Sequence, residues 1–166
     1  MNKLLWAAVL AGSLVACSGQ PTVTSPAPSA AMQSPAGLDL VPLVVRSGTT
    51  THSFSVEVAR TEPEQAKGLM FRPSLAADAG MIFPFRPPRP GSFWMKDTMI
   101  PLDIIFIRPD GTIARIAENA TPYSLDPIVE AEPVAGVLEI AGGRAAELGI
   151  AEGDHVSWSG GPAPAN

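Results

Sequence analysis

Residues 102–118 read LDIIFIRPDGTIARIAE, and the fold turns on this stretch. Two apolar segments of strand length flank Pro109-Asp110-Gly111, where the glycine is free to take a positive φ. That pattern predicts a β-hairpin with strands at 102–108 and 112–118. Downstream, 134–140 reads as another strand. Residues 142–148 read as a short helix closed by Gly149, and Gly153-Asp154 as a turn into a last strand at 155–158.

Upstream, 41–45 and 54–59 also read as strands, joined through a polar turn at 46–52. In the second, Phe54, Val56 and Val58 alternate with Ser55 and Glu57, which predicts one buried face. Thr61-Glu62-Pro63-Glu64 is a helix start. Thr61 can cap, Glu64 can reach back to it, and Pro63 suits the first turn. This helix is expected to end between Lys67 and Met70, with Gly68 near its end. Residues 80–85 read as a short buried strand, 86–91 as a rigid loop because of Pro87, Pro88 and Pro90, and 92–96 as a further strand. Strands come mostly in hairpins rather than in strand–helix alternation, and no internal repeat is present. The expected fold class is therefore α+β: a β-rich, mostly antiparallel, barrel-like single domain with two short helices.

The N-terminus carries a different message. Met1-Asn2-Lys3 is a short charged start, residues 4–15 are an apolar run without charge, and Leu14-Val15-Ala16-Cys17 follows. This is the pattern of a secretory signal over 1–16, too short to span a bilayer as a stable helix. Residues 14–17 resemble the bacterial lipobox, so Cys17, the one cysteine of the chain, is the expected lipid-bearing residue. Ser18, rather than Asp, follows it, which in enteric bacteria resembles outer-membrane sorting. Residues 17–38 are rich in Pro, Ser and Ala and read as a disordered tether, the globular domain as 39–159, and 160–166 as a flexible tail. The expected location is the periplasmic side of a membrane, through the lipid anchor.

The formal net charge is −5, so a nucleic-acid partner is not expected: phosphate binding needs a basic surface. No glycine loop for phosphates and no carboxylate-rich or histidine-rich ligand pattern is present, so neither cofactor nor metal is expected. Met95 and Met99 are thioethers, yet methionine is also a general core filler.

The most unusual stretch is 93–103, FWMKDTMIPLD. Together with 68–72 (GLMFR), 80–83 (GMIF), 136–139 (GVLE), Gly149-Ile150 and Gly153-Asp154, it resembles the bacterial and archaeal domain of unknown function 192 family. The resemblance spans about residues 56–156. It implies a compact β-rich domain and no established reaction.

Read physically, Asp103 either accepts backbone hydrogen bonds or pairs with Lys96 or Arg72, or else lines a pocket. Trp94 is either core or an apolar platform. Arg72 either packs its stem at the surface, grips an internal carboxylate (Asp103, Asp97 or Glu132), or grips a ligand. The leading expectation is a non-catalytic ligand-binding domain whose site is formed by Arg72, Trp94, Lys96, Asp97, Thr98 and Asp103. The alternatives are an enzyme acting on an envelope polymer, using two among Asp97, Asp103, Glu130 and Glu132, and a structural or protein-interaction module.

Overall fold

A computed structural model of the protein describes residues 32–162. The expected signal over 1–16, Cys17 and the rest of residues 1–31, and residues 163–166 lie outside the described residues. Among the described residues seven strands and two helices follow one another: β1 (Leu40–Ser47), β2 (Thr50–Val58), α1 (Glu62–Lys67), β3 (Ala79–Phe93), β4 (Leu102–Ile107), β5 (Ile113–Ala120), β6 (Ile128–Ala141), α2 (Arg144–Leu148) and β7 (His155–Trp158). They form one sheet in the order β5-β4-β6-β3-β2-β1-β7.

Every neighbouring pair is antiparallel except β2 and β3, which run parallel. A parallel neighbour needs a crossover, and α1 supplies it. The sheet curls without closing into a barrel. Its outer strands approach at a single bridge, Thr112 with His155, supported by the bond from Ile113 N–H to the Asp154 carbonyl (2.8 Å).

Both faces of the sheet are covered, and β4 shows this most plainly because all six of its residues are buried. Ile105 and Ile107 join Leu43, Val45, Val56, Leu138, Val156 and Trp158 on one side, where α2 packs through Ala145. Leu102, Ile104 and Phe106 join Leu69, Met81, Phe83, Met95 and Val137 on the other. Alternation along each strand sorts residues between the two layers.

The α1 cap forms as the sequence requires. Thr61 N–H donates to Glu64 Oε2 (2.8 Å), and Glu64 N–H lies 3.4 Å from Thr61 Oγ1. Gly68 ends the helix at φ 47°. These bonds hold the Glu64 carboxyl below its ordinary pKa, the backbone bond from Thr61 being the largest cause.

Several expectations shift. The polar turn between β1 and β2 shrinks to Gly48 and Thr49, because 46–47 and 50–52 extend the ladder, with Ser47 opposite Thr50. Glu57 does not face solvent; it is buried, since both faces of β2 are covered at its end. The expected strand, rigid loop and strand over 80–96 are one long strand, β3, ending at Phe93. Its prolines are accommodated because residues 86–90 are exposed and the ladder to β6 shifts register between Pro84 and Gly91. Strand β6 correspondingly begins at Ile128, not at 134. Ahead of β1, Gln33 bridges Asp39, and Ser34 is buried in a turn where its carbonyl accepts from Gly37 N–H (2.8 Å). At the far end Gly161 N–H donates to the Trp158 carbonyl (3.0 Å), folding the chain back onto that ring.

Candidate functional site

The conspicuous hollow, about 350 Å³ in volume, lies beside the 94–99 turn on the Phe83 side of the sheet. One wall is the end of α1 and the residues after it, Gln65 to Met70; the other is the end of β3, Ser92 and Phe93, with Trp94. Phe83 and Phe93 meet edge to face (centroids 5.0 Å apart, planes at 82°), and Phe93 meets Phe106 in the same way at 6.1 Å. An aromatic stack therefore backs the cavity, and such contacts hold ring positions well.

Glu139 of β6 also lines this cavity. It sits opposite Met81 of β3 and Ile104 of β4, so strand alternation turns it toward the same apolar layer as those two residues. It is 5% exposed. Among the described residues its carboxyl has no hydrogen-bond or ion-pair partner. Burial alone pushes its pKa up to about 8, so the group is an uncharged acid at neutral pH.

Backbone bonds fasten the 94–99 turn to the segment after α1 and to the β5–β6 loop. Phe71 N–H donates to the Asp97 carbonyl (2.8 Å), Tyr123 N–H to the Thr98 carbonyl (3.1 Å), and Met95 N–H to the Ser124 carbonyl (3.0 Å). Phe71, Asp97 and Tyr123 all take positive φ (62°, 53° and 62°), a conformation that costs an L side chain about 1 kcal/mol or more. Buried Leu69 and Met95 pin the two loops to the core and so offset that strain. Outside, Phe71, Trp94, Tyr123 and Leu125 remain exposed. Gln65, at the cavity wall, ties α1 to the sheet by donating to the carbonyls of Ala59 (3.1 Å) and Pro84 (3.4 Å).

The six expected site residues divide. Trp94 and Thr98 line the cavity. Trp94 is half exposed, and the Lys96 ammonium lies 5.5 Å from its ring centroid. Thr98 is buried, its hydroxyl donating to the Lys96 carbonyl (3.2 Å). Asp97 forms the corner of the turn.

Arg72 grips a partner that was not among those expected. Its guanidinium bonds both oxygens of Glu57, at 2.5 and 2.6 Å, which raises the Arg72 pKa further; the hydrogen bond to Glu57 is the largest cause. Asp103 lies away from the cavity, fully buried on the sheet's other face beneath α2. Its Oδ1 accepts from Asn119 N–H (2.8 Å) and Gly143 N–H (2.9 Å), and its Oδ2 from Ala145 N–H (2.8 Å). Gly143 carries no side chain to cap α2, so a carboxylate from β4, forty residues earlier, satisfies the helix start.

Glu139 and the Glu57–Arg72 pair are the members that inspection of the sequence passed over. The available signal was an acid inside each of two otherwise apolar runs, VEVA and VLEI. Of the carboxylates expected for catalysis, Asp103 is sealed in on the face opposite the cavity, Glu132 is exposed and pairs with Arg108 (3.2 Å), and Glu130 accepts from the Glu132 N–H (3.0 Å). Among the described residues no three His, Cys, Asp or Glu side chains gather as a metal-ligand set, and no helix is long and apolar enough to cross a membrane.

Fold and cavity together define a small β-rich domain with an aromatic hollow over a buried acid. The chain belongs to the DUF192 family, an uncharacterised ACR, whose model matches residues 43–158. It is similar to a solved protein of unknown function from Novosphingobium aromaticivorans DSM 12444, at 48% identity over 84% of this chain and 99% of that one, with a TM-score of 0.76. It is also similar to a protein from Sinorhizobium meliloti 1021 provisionally described as a transcription regulator, at 40% identity over 74% of this chain and 96% of that one, with a TM-score of 0.72. No curated protein matches.

Proposed function

We propose that the protein is a lipid-anchored domain of the cell envelope that captures a small ligand in the cavity between α1 and Trp94, without catalysing a reaction. The observation that carries the binding reading is Glu139. A carboxyl that is buried, unpartnered among the described residues and open to an aromatic cavity is costly to fold, and a ligand would supply the missing partner. Trp94 offers the platform, and Ser92, Thr98 and Gln65 offer a few polar groups, a composition common to small-molecule sites.

The envelope reading rests on the leader and on Cys17. Two or three acyl chains anchor stably where one is marginal, and the Pro, Ser and Ala content of 17–31 is that of a tether.

Thermal shift of the protein against panels of envelope sugars, short peptides, carboxylates and organic amines tests the binding reading. At least one class should stabilise the wild type and fail to stabilise Trp94→Ala. No shift with any class would refute capture at this site. For the anchor, Cys17→Ser should abolish membrane association, and unchanged association would refute lipidation.

A further inference from the structure

We propose that the ligand of this cavity is a small organic cation, an ammonium or guanidinium group on a short apolar stem, whose charge seats against Glu139 while the stem lies along Trp94 and Phe93. The inference deepens the binding reading above and rests on it.

Three observations converge. First, among the described residues Glu139 is the one acidic group lining the cavity, and the one basic group there, Lys67 at the end of α1, makes no ion pair with it. A carboxyl at an apolar floor is best matched by a positive charge that brings its own hydrogen bonds. Second, Phe83, Phe93 and Trp94 present aromatic surface there, and ring faces attract cations. Trp94 already shows that affinity, since Lys96 Nζ stands 5.5 Å from its centroid. Third, a volume of about 350 Å³ suits a stem of a few carbons rather than a polymer.

The charged groups facing Glu139 are few. From α1, Lys67 stands at the cavity wall, and Lys96 belongs to the turn beside Trp94. From β2, Glu57 lies two strands away in the same row through Met81, and Arg72 neutralises it. From β3 and β4, the residues opposite are the uncharged Met81 and Ile104.

Binding carries a proton balance. Below about pH 8 the Glu139 carboxyl holds its proton. As the cation seats, the Glu139 O–H bond breaks, the proton leaves to solvent, and the carboxylate pairs with the ligand. No covalent bond to the ligand forms, and the ligand keeps its own charge. Linkage then requires affinity to rise with pH and to level off once the free carboxyl is already ionised.

The test is an NMR titration of the protein with n-butylammonium chloride at pH 6, 7 and 8.5, following the Trp94 indole N–H, with n-butanol and butyrate as neutral and anionic counterparts. The expected Kd for butylammonium falls about tenfold from pH 6 to 7 and changes much less above 8. Glu139→Gln should keep the fold, lose at least tenfold in affinity at pH 8.5 and show no pH slope. Trp94→Ala, followed by backbone amides at the cavity, should weaken binding and keep the slope.

Equal binding of butanol, or a pH-independent Kd in the wild type, would overturn the cation assignment while leaving the cavity as a binding site. Butyrate preferred over butylammonium would overturn it in the same way. No response to any of the three compounds would overturn it too; capture of some other ligand class would then be decided by the panel experiment.

Discussion

Replacing Glu139 with glutamine should change how stability depends on pH, and the structure sets both the sign and the size. The carboxyl is buried without a partner among the described residues, and its pKa rises from 4.5 to about 8. In the unfolded chain it ionises near its ordinary value. Folding must therefore take up a proton wherever the pH lies between those two values.

For an acid whose folded pKa is raised, stability is greatest below about 4.5, falls as pH rises, and stops falling above about 8. Each pKa unit corresponds to about 1.4 kcal/mol. The wild type should lose roughly 3 kcal/mol to this group by pH 7, and on the order of 5 kcal/mol by pH 8.5. A glutamine side chain never ionises, so Glu139→Gln should show no such loss. The assay is urea denaturation of both proteins at pH 5, 6, 7 and 8.5, read by tryptophan fluorescence. Subtracting one pH profile from the other removes every other titrating group, including Glu64 and Asp110, whose lowered pKa values act in the opposite sense. Parallel profiles would refute the reasoning, because they would mean that the carboxyl is ionised and satisfied in the native state.

Asp103→Ala removes the acceptor of three backbone N–H groups around a fully buried position. It should cost about 3–6 kcal/mol, with Asp103→Asn intermediate, by chemical denaturation. A loss below about 1 kcal/mol would refute its role as the cap of α2. Arg72→Ala leaves Glu57 buried beside no cation and should cost about 2–3 kcal/mol. Arg72→Lys cannot make both bonds and should recover less than half of that, and a double-mutant cycle with Glu57→Gln measures the coupling. Gly80→Ala places a Cβ 2.6 Å from the Glu139 carbonyl oxygen and 3.2 Å from Ile140 Cγ2. It should destabilise by about 1–3 kcal/mol and shift the Trp94 indole resonance, since β3 and β6 must part beside the cavity.

Local rules made much of this protein legible before any coordinates. Thr61 and Glu64 lie three residues apart, so their reciprocal bonds are written into four consecutive positions. Pro109-Asp110-Gly111 marks the β4–β5 turn for the same reason, and Thr112 N–H does donate to Asp110 Oδ1 (2.9 Å). The alternation in β2 predicts the burial of Phe54, Val56 and Val58 and fails at Glu57. Alternation shows that two faces differ, but not whether a neighbouring loop will cover the second. The proline run of β3 misled because intolerance of proline holds for a strand paired on both sides. Beyond Ile82, β3 has no β2 partner, so that constraint is absent.

What the sequence alone determined was the β4–β5 hairpin with its turn, the capped start of α1 and its glycine stop, and which family segment is unusual. Those follow from contacts two to four residues apart. Only the tertiary structure decided which acids matter. Asp103 meets Ala145 across 42 positions, and Arg72 meets Glu57 across 15. Glu139 shares its row with Glu57 because Met81 stands between them in the sheet. Strand register sets each of these neighbours, and register is a property of the whole packed sheet: one-residue slips would turn Glu139 to the opposite layer.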